Sequence, residues 1–274
     1  MINIKDATTR IGSGLIFLSI FIGSIWYGGY SFVLLFTLLA GMALKEYFSL
    51  FRNGGLSVLV YVPSVLGALL FLVLGLEQLN MIPSGKYIGI PIALFFLFFF
   101  YEMLKNETKP IDNLSSYALG LIYVLLPLIF FQWMAFYKYQ EYTFQVILGH
   151  LIIIWANDTG AYGFGVTFGK HRILERISPK KSWEGAAGGL LFGLTAAYIW
   201  SQYNPILSTV NWIVVAIIIM VTGTLGDFVE SMFKRHLGVK DSGSIMPGHG
   251  GMLDRFDSVL LSAPFVWAYL EAFC

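Results

Sequence analysis

The chain has 274 residues, 57% of them hydrophobic and 12% charged, with 17 basic against 16 acidic side chains. A soluble globular domain carries about 25% charged residues, so this composition excludes one, and a net charge of +1 excludes the broad basic field that a nucleic-acid partner needs. Its single cysteine is Cys274, which rules out an internal disulfide and a cysteine-built zinc cluster.

Apolar runs long enough to cross a hydrocarbon core of ~30 Å as helices recur along the chain. They predict an all-α, polytopic integral membrane bundle of nine spans, roughly 11–27, 30–50, 56–76, 87–104, 115–137, 143–166, 185–203, 210–233 and 258–273. Helices are the reasonable spanning form, because intrahelical bonds satisfy the backbone in lipid. The first run follows Lys5 and Arg10 but has no small-residue cleavage site, and the second begins almost at once. It reads as an uncleaved span rather than a signal peptide.

With nine spans, the N-terminus and the loops after even-numbered spans share one face. That face takes 15 of the 17 Lys and Arg residues and leaves only Lys86 and Lys138 on the other. Cytoplasmic loops are the ones enriched in Lys and Arg. The N-terminus and the charged loops are therefore expected in the cytoplasm, with the C-terminus outside. The absence of a transit peptide or long soluble extension suits a bacterial plasma (inner) membrane.

Three polar stretches fall on the charged face: WANDTGAYGFGVTFGKH (155–171), ISPKKSWEG (177–185) and the segment from Gly226 to Asp257, which contains KRHLGVKDSGSIMPGHGGMLDRFD (234–257). Asp158 closes an apolar run. A carboxylate inside a span is costly and faces a partner or an aqueous cavity; the alternative is that Asn157 and Asp158 cap a helix end. Asp227, Glu230, Ser231 and Lys234 are spaced to share one helix face. Two carboxylates on one face make a hard-oxygen site suited to Mg²⁺. Of these, Asp227 reads as the ligand and Glu230 as the i,i+4 ion-pair partner of Lys234.

Asp254 and Asp257 repeat the i,i+3 spacing. On a helix they point the same way, with Arg255 pointing elsewhere; a solvated, acid-rich helix start is the bland alternative. Glycines in PGHGG (247–251) let backbone N–H groups approach a ligand and cradle phosphate, or simply make a turn. Lys180, Lys181, Lys234, Arg235, Lys240 and Arg255 either neutralise phosphates or serve only as positive-inside residues. GVTFGKH lacks the first glycine of a Walker A loop and has His171 in place of Ser or Thr. The four histidines have no zinc-like spacing. Gly185, Gly189 and Gly193 form a small-residue ridge on the seventh span that permits close helix approach, read as packing within the monomer in preference to a dimer interface.

Taken together, Ser231-Met-Phe-Lys234-Arg235, Lys240-Asp241-Ser-Gly243, Pro247-Gly-His249-Gly250-Gly251 and Asp254-Arg255-Phe-Asp257 resemble the signature of phosphatidate cytidylyltransferases (CDP-diacylglycerol synthases). NDTGAY and SPKKSWEG resemble the same family's other polar segments, and Met246 is a conservative departure. The resemblance covers the half from about Trp155 to Asp257. It implies that CTP and phosphatidic acid give CDP-diacylglycerol and pyrophosphate with one or more Mg²⁺ ions, in a homodimer among membrane lipids, with the active site on the cytoplasmic side. On that footing residues 1–140 form a lipid-facing scaffold of helices and 141–274 the catalytic region.

The resemblance also assigns roles. Asp227, Asp254 and Asp257, with Asp158 as a fourth, are the expected metal ligands. Lys180, Lys181 and Ser182 are expected to hold phosphate. Lys234, Arg235 and Arg255 are expected to neutralise the triphosphate or the leaving pyrophosphate. The backbone of Gly248 to Gly251 is expected to contact phosphate, with Gly250 and Gly251 foremost and His249 as a donor. A membrane transporter with a carboxylate ion site is the rival reading, weakened by the gathering of polar residues at one face. A related CTP-dependent enzyme acting on another lipid acceptor is the other.

Overall fold

The computed structural model describes residues 4–105, 108–137, 141–239, 243 and 250–274. Residues 240–242 and 244–249, with Lys240, Asp241, Met246, Gly248 and His249 among them, lie outside the described residues. Among those described, the chain forms nine helical rods and no strand beyond an isolated bridge between Arg172 and Ser182.

The rods follow the apolar runs. They are α1 (Ile4–Tyr27), α2 (Gly29–Asn53), α3 (Tyr61–Gln78) and α4 (Gly89–Leu104), then a continuous fifth rod. That rod is made of α5 (Pro110–Gly120), one π-turn (Leu121–Leu125) and α6 (Leu126–Met134). After it come α7 (Phe144–Phe168), α8 (Trp183–Tyr203), α9 (Thr209–His236) and α10 (Leu253–Phe273).

Each predicted span falls on one rod; α3 begins at Tyr61, inside its predicted 56–76, whereas α9 and α10 outrun their spans at the charged end. There α9 continues to His236 and α10 starts at Leu253. Hydropathy marks where a helix leaves lipid, whereas capping marks where it ends. Pro110 opens α5 from the first turn, where its missing N–H costs nothing. Ser182 and Ser208 cap α8 and α9 by accepting from Gly185 N and Asn211 N, both at 3.2 Å.

Among the described residues, α2, α3, the α5–α6 rod and α9 are long and apolar enough to cross a membrane, and Gly14–Tyr27 and Gly89–Leu104 are shorter apolar stretches. Large apolar side chains such as Leu15, Ile16, Leu34, Leu38, Phe96 and Phe99 face outward, as lipid contact requires. Inside, Phe32, Phe36, Tyr47, Phe48, Phe131 and Trp212 are fully buried.

Long-range contacts gather the charged ends on one side. The end of α2 meets the end of α9 at Gly54 and Leu237, and Lys105, past α4, donates to Ser57 O. In the α4 wall near that end, buried Glu102 accepts from Asn113 Nδ2 at 2.8 Å and from Tyr117 OH at 3.4 Å.

Two helix pairs approach closely enough to bring their polar residues together. In the α7–α8 pair, a Cβ on Gly189 would lie 2.6 Å from Asn157 Oδ1 and 3.0 Å from Asn157 O, and one on Gly185 would lie 2.9 Å from Ala161 O. The glycine ridge thus packs against α7 of the same chain. In the α9–α10 pair, a Cβ on Gly226 would strike the carbonyl oxygen of Asp257. Overpacking of this kind costs roughly 1–3 kcal/mol. Gly189→Ala should therefore lower the thermal unfolding midpoint of the detergent-purified protein by several degrees. Gly193→Ala, whose Cβ would meet nothing nearer than 3.8 Å, should leave it almost unchanged.

Candidate active site

Three segments converge at the charged end: the loop from Gly169 to Ser182, the last turns of α9 and the first turns of α10. The loop is a small hairpin between α7 and α8. Ile173 N donates to Lys181 O at 3.1 Å, Trp183 N to His171 O at 2.9 Å, and the Arg172 guanidinium to Lys180 O at 3.0 Å. Glu184 ties its base down by accepting from the backbone N–H groups of Lys170 and His171 at 3.1 and 3.2 Å, and its Oε1 lies 2.6 Å from His171 Nδ1. That partnership with His171 holds the Glu184 carboxyl well below the usual range, at about 2.

The hairpin overhangs a cavity of about 550 Å³ between α7, α8 and α9. Its lining mixes polar side chains (Asp158, Arg172, Lys180, Lys181, Ser182 and Asp227) with apolar ones (Ala161, Tyr162, Val166, Ile173 and Ala186). Asp158 does not cap a helix end, because α7 runs on unbroken to Phe168. It faces the cavity, as the first of its two sequence readings has it. Ser182 is 3% exposed, with its hydroxyl used as the α8 cap.

Asp227 and Lys181 form an ion pair across the cavity floor, with the Lys181 ammonium 4.8 Å above the Phe228 ring. The other oxygen of Asp227 accepts from Ser258 Oγ at 3.0 Å. The Asp257 carboxyl lies within hydrogen-bonding reach of Asp227, and its Oδ1 accepts from Ser258 N at 2.7 Å. Both carboxylates are half-buried, and Lys181 supplies the counter-charge of Asp227.

Two turns along α9 from Asp227, Lys234 Nζ sits 3.1 Å from Glu230 Oε2 and 2.7 Å from Asp254 Oδ1. The expected Glu230–Lys234 pair is present, and Asp254 is its third member. Asp254 Oδ2 also accepts from Gly251 N at 2.9 Å, so that N–H is engaged by a carboxylate. Gly250 has φ +84°, a left-handed conformation suited to glycine. Asp254 and Asp257 are indeed on a helix, while Arg255 between them is exposed, as is Arg235.

The candidate set therefore divides in two. Asp158, Lys180, Lys181, Ser182 and Asp227 line the cavity, with Asp257 behind Asp227; Lys234, Asp254, Gly250 and Gly251 form an adjoining cluster with Glu230. No three His, Cys, Asp or Glu side chains among the described residues are gathered closely enough to hold a metal by themselves. The Asp227–Asp257 pair nevertheless fits Mg²⁺, which commonly takes one or two carboxylates and completes its shell with water and substrate phosphates. Sequence reasoning missed Arg172, Ser258 and, most of all, Glu46 in α2. Glu46 is 4% exposed and accepts from Met252 N and Leu253 N at 2.7 and 3.2 Å.

A transmembrane helical bundle with carboxylates and cations around a cavity at one end has the makings of a phosphate-handling membrane enzyme. The chain belongs to the cytidylyltransferase family, whose pattern it matches over residues 8–273, and is thus a nucleotidyltransferase. It is 34% identical over 272 residues to the phosphatidate cytidylyltransferase of Bacillus subtilis (strain 168), covering 98% of this chain and 99% of that one. The proteins of the same name from Staphylococcus haemolyticus (strain JCSC1435) and Staphylococcus aureus (strain COL) are 35% and 34% identical over 265 and 264 residues. Each match covers 94% of this chain and 96% of the relative.

Removing one partner from a buried charge cluster costs roughly 3–5 kcal/mol. Lys234→Met leaves Glu230 and Asp254 facing each other, so it should sharply lower the unfolding midpoint in detergent. Adding Asp254→Asn should restore part of the loss, whereas exposed Arg235→Met should change little.

Proposed function

We propose that the chain is a phosphatidate cytidylyltransferase, joining the cytidylyl group of CTP to phosphatidic acid to give CDP-diacylglycerol and pyrophosphate. The observation that carries this reading is similarity along nearly the whole chain to proteins of that name. A cavity lined both by apolar side chains and by the cations Arg172, Lys180 and Lys181 supports it.

A phosphate oxygen of the lipid attacks the α-phosphorus of CTP, a new P–O bond forms, and the bond to the β-phosphate oxygen breaks. The nucleophile is already an anion, so no general base is required. The work falls to alignment and to neutralising charge that develops in the transition state. Lys180, Lys181 and Arg172, which line the cavity, hold the lipid phosphate. Lys234, Arg235 and Arg255 receive the triphosphate and the departing pyrophosphate, with the backbone of Gly250 beside them.

Asp227 and Asp257 would hold Mg²⁺, while Asp254 stands in the adjoining Lys234 cluster and Asp158 lines the cavity beside them. When bound, the ion would neutralise the phosphate oxygens and favour in-line transfer. Lys181 and Lys234 each pair with one of these carboxylates before substrate arrives. Phosphates that attract the two lysines leave the carboxylates in need of another cation, which couples nucleotide binding to metal binding.

In this reading the N-terminus and the charged loops lie in the cytoplasm, the enzyme sits in a bacterial plasma membrane as a homodimer, and residues 1–140 support the catalytic region 141–274. Purified protein given labelled CTP, phosphatidic acid and Mg²⁺ should form CDP-diacylglycerol. Asp254→Asn should cut turnover by about 10²-fold or more, as loss of a transition-state contact does, with unchanged helix content. Full activity in that variant would remove Asp254 from the mechanism; no product from folded wild-type protein would overturn the reaction.

A further inference from the structure

The α10 helix carries Asp254, Arg255 and Asp257 in its first turns, so whatever fixes the start of α10 fixes three candidate site residues together. The first N–H groups of a helix have no partner within it, and negative charge is favoured beside them. Here two carboxylates take them. Asp254, from α10 itself, accepts from Gly251 N at 2.9 Å. Glu46 accepts from the next two, Met252 N at 2.7 Å and Leu253 N at 3.2 Å, one on each of its oxygens.

Glu46 reaches this point from α2, 206 positions earlier in the chain than Met252, and is 4% exposed. A carboxylate inside an apolar helix is costly unless donors meet it, and both backbone donors come from the helix that bears the site. Gly243, in the Lys240–Gly243 part of the signature, also lies against it. A Cβ there would sit 2.8 Å from Glu46 Cδ and 2.9 Å from Oε2, so the approach leaves no room for a side chain. Glu46 thus touches both Gly243 and the Met252–Leu253 turn from the helix region read as scaffold.

We propose that Glu46 is a positioning residue for cytidylyl transfer: its two-oxygen grip on the Met252 and Leu253 amides sets the depth and register of α10, and with them the placement of Asp254 and Asp257 at the reacting phosphates. The proposal rests on the function proposed above for its consequence for rate, though not for the tether itself. Misplacing reacting groups by ~1 Å costs about 10²-fold, so the tether acts on turnover more than on nucleotide affinity.

The test compares Glu46→Gln and Glu46→Asp with Glu102→Gln, another buried carboxylate that serves Asn113 and Tyr117 well away from α10. In Glu46→Gln one of the two acceptors becomes a donor facing a backbone N–H. Amide hydrogen exchange in the peptide covering 252–256 should accelerate at least about tenfold, as loss of a helix-start contact permits, without change in α7 or α8. In the same protein kcat should fall by about 10²-fold with KM for CTP within about threefold, on the scale expected of misplacement. Glu46→Asp keeps both oxygens on a shorter arm and should recover part of each effect; it decides the matter if Glu46→Gln does not fold. Glu102→Gln should alter neither. Wild-type kcat in Glu46→Gln, unchanged exchange at 252–256, or an equal loss in Glu102→Gln would overturn the proposal. Exchange requires no turnover. A wild-type protein inactive with CTP and phosphatidic acid would therefore sink the proposed reaction while the tether is still judged on its own.

Discussion

Negative charge placed inside an apolar bundle must be answered locally, because no water is there to solvate it. The charged end of this protein is organised by that demand. Asp227 is answered by Lys181 and Ser258, Asp254 by Lys234 and Gly251 N, Glu230 by Lys234, and Glu46 by two amides of α10. Each answer comes from a different element than the carboxylate itself, apart from the Glu230–Lys234 pair and the Asp254 cap. Charge compensation thus joins the α7–α8 hairpin, α9, α10 and α2 into one unit.

Such long-range pairing is possible only where backbones can approach, and glycine provides for that at two seams. On α8, Gly185 and Gly189 lie against the main chain of α7, which brings the cavity residue Asp158 near the hairpin that carries Lys180 and Lys181. On α9, Gly226 accepts the Asp257 carbonyl almost in contact, and this sets the Asp257 carboxyl beside that of Asp227. A side chain at either seam separates the charges as well as the helices. Packing and electrostatics are therefore not independent contributions at this end of the molecule.

Much of this arrangement could be read without coordinates, for identifiable reasons. The nine rods follow from hydropathy, since apolar length is what a membrane selects. The faces of α9 and α10 follow from i,i+3 and i,i+4 spacing, which is local and correctly paired Glu230 with Lys234. At α9 and α10 the helices run past the apolar stretches, because hydropathy tracks lipid contact, whereas the Glu230–Lys234 and Asp254–Asp257 spacings track helical turns. Glu46 escaped for a different reason. It lies in FSLF-flanked apolar sequence far from any signature residue, and its partners are backbone amides, which leave no trace in side-chain pattern. A lone carboxylate in a span was nonetheless the available signal, the same one that drew attention to Asp158.

The mixed lining of the cavity bears on why the charged residues stand at the end of the bundle and not at its centre. A lipid phosphate is tethered at the membrane surface by its acyl chains, whereas a nucleotide triphosphate pays heavily to leave water. The only depth open to both is the interfacial layer, and a site there must present apolar surface toward lipid and cations toward water. Tyr162 and Val166 line the same cavity as Lys180 and Lys181, so both kinds of surface are available there. A carboxylate-lined ion path, in contrast, needs charged groups spaced through the membrane's thickness. The described residues place buried His150, hydrogen-bonded to Ser262 at 2.9 Å, in the apolar body of α7 and α10, and draw their clustered carboxylates to one end. That distribution favours chemistry at an interface over passage across it.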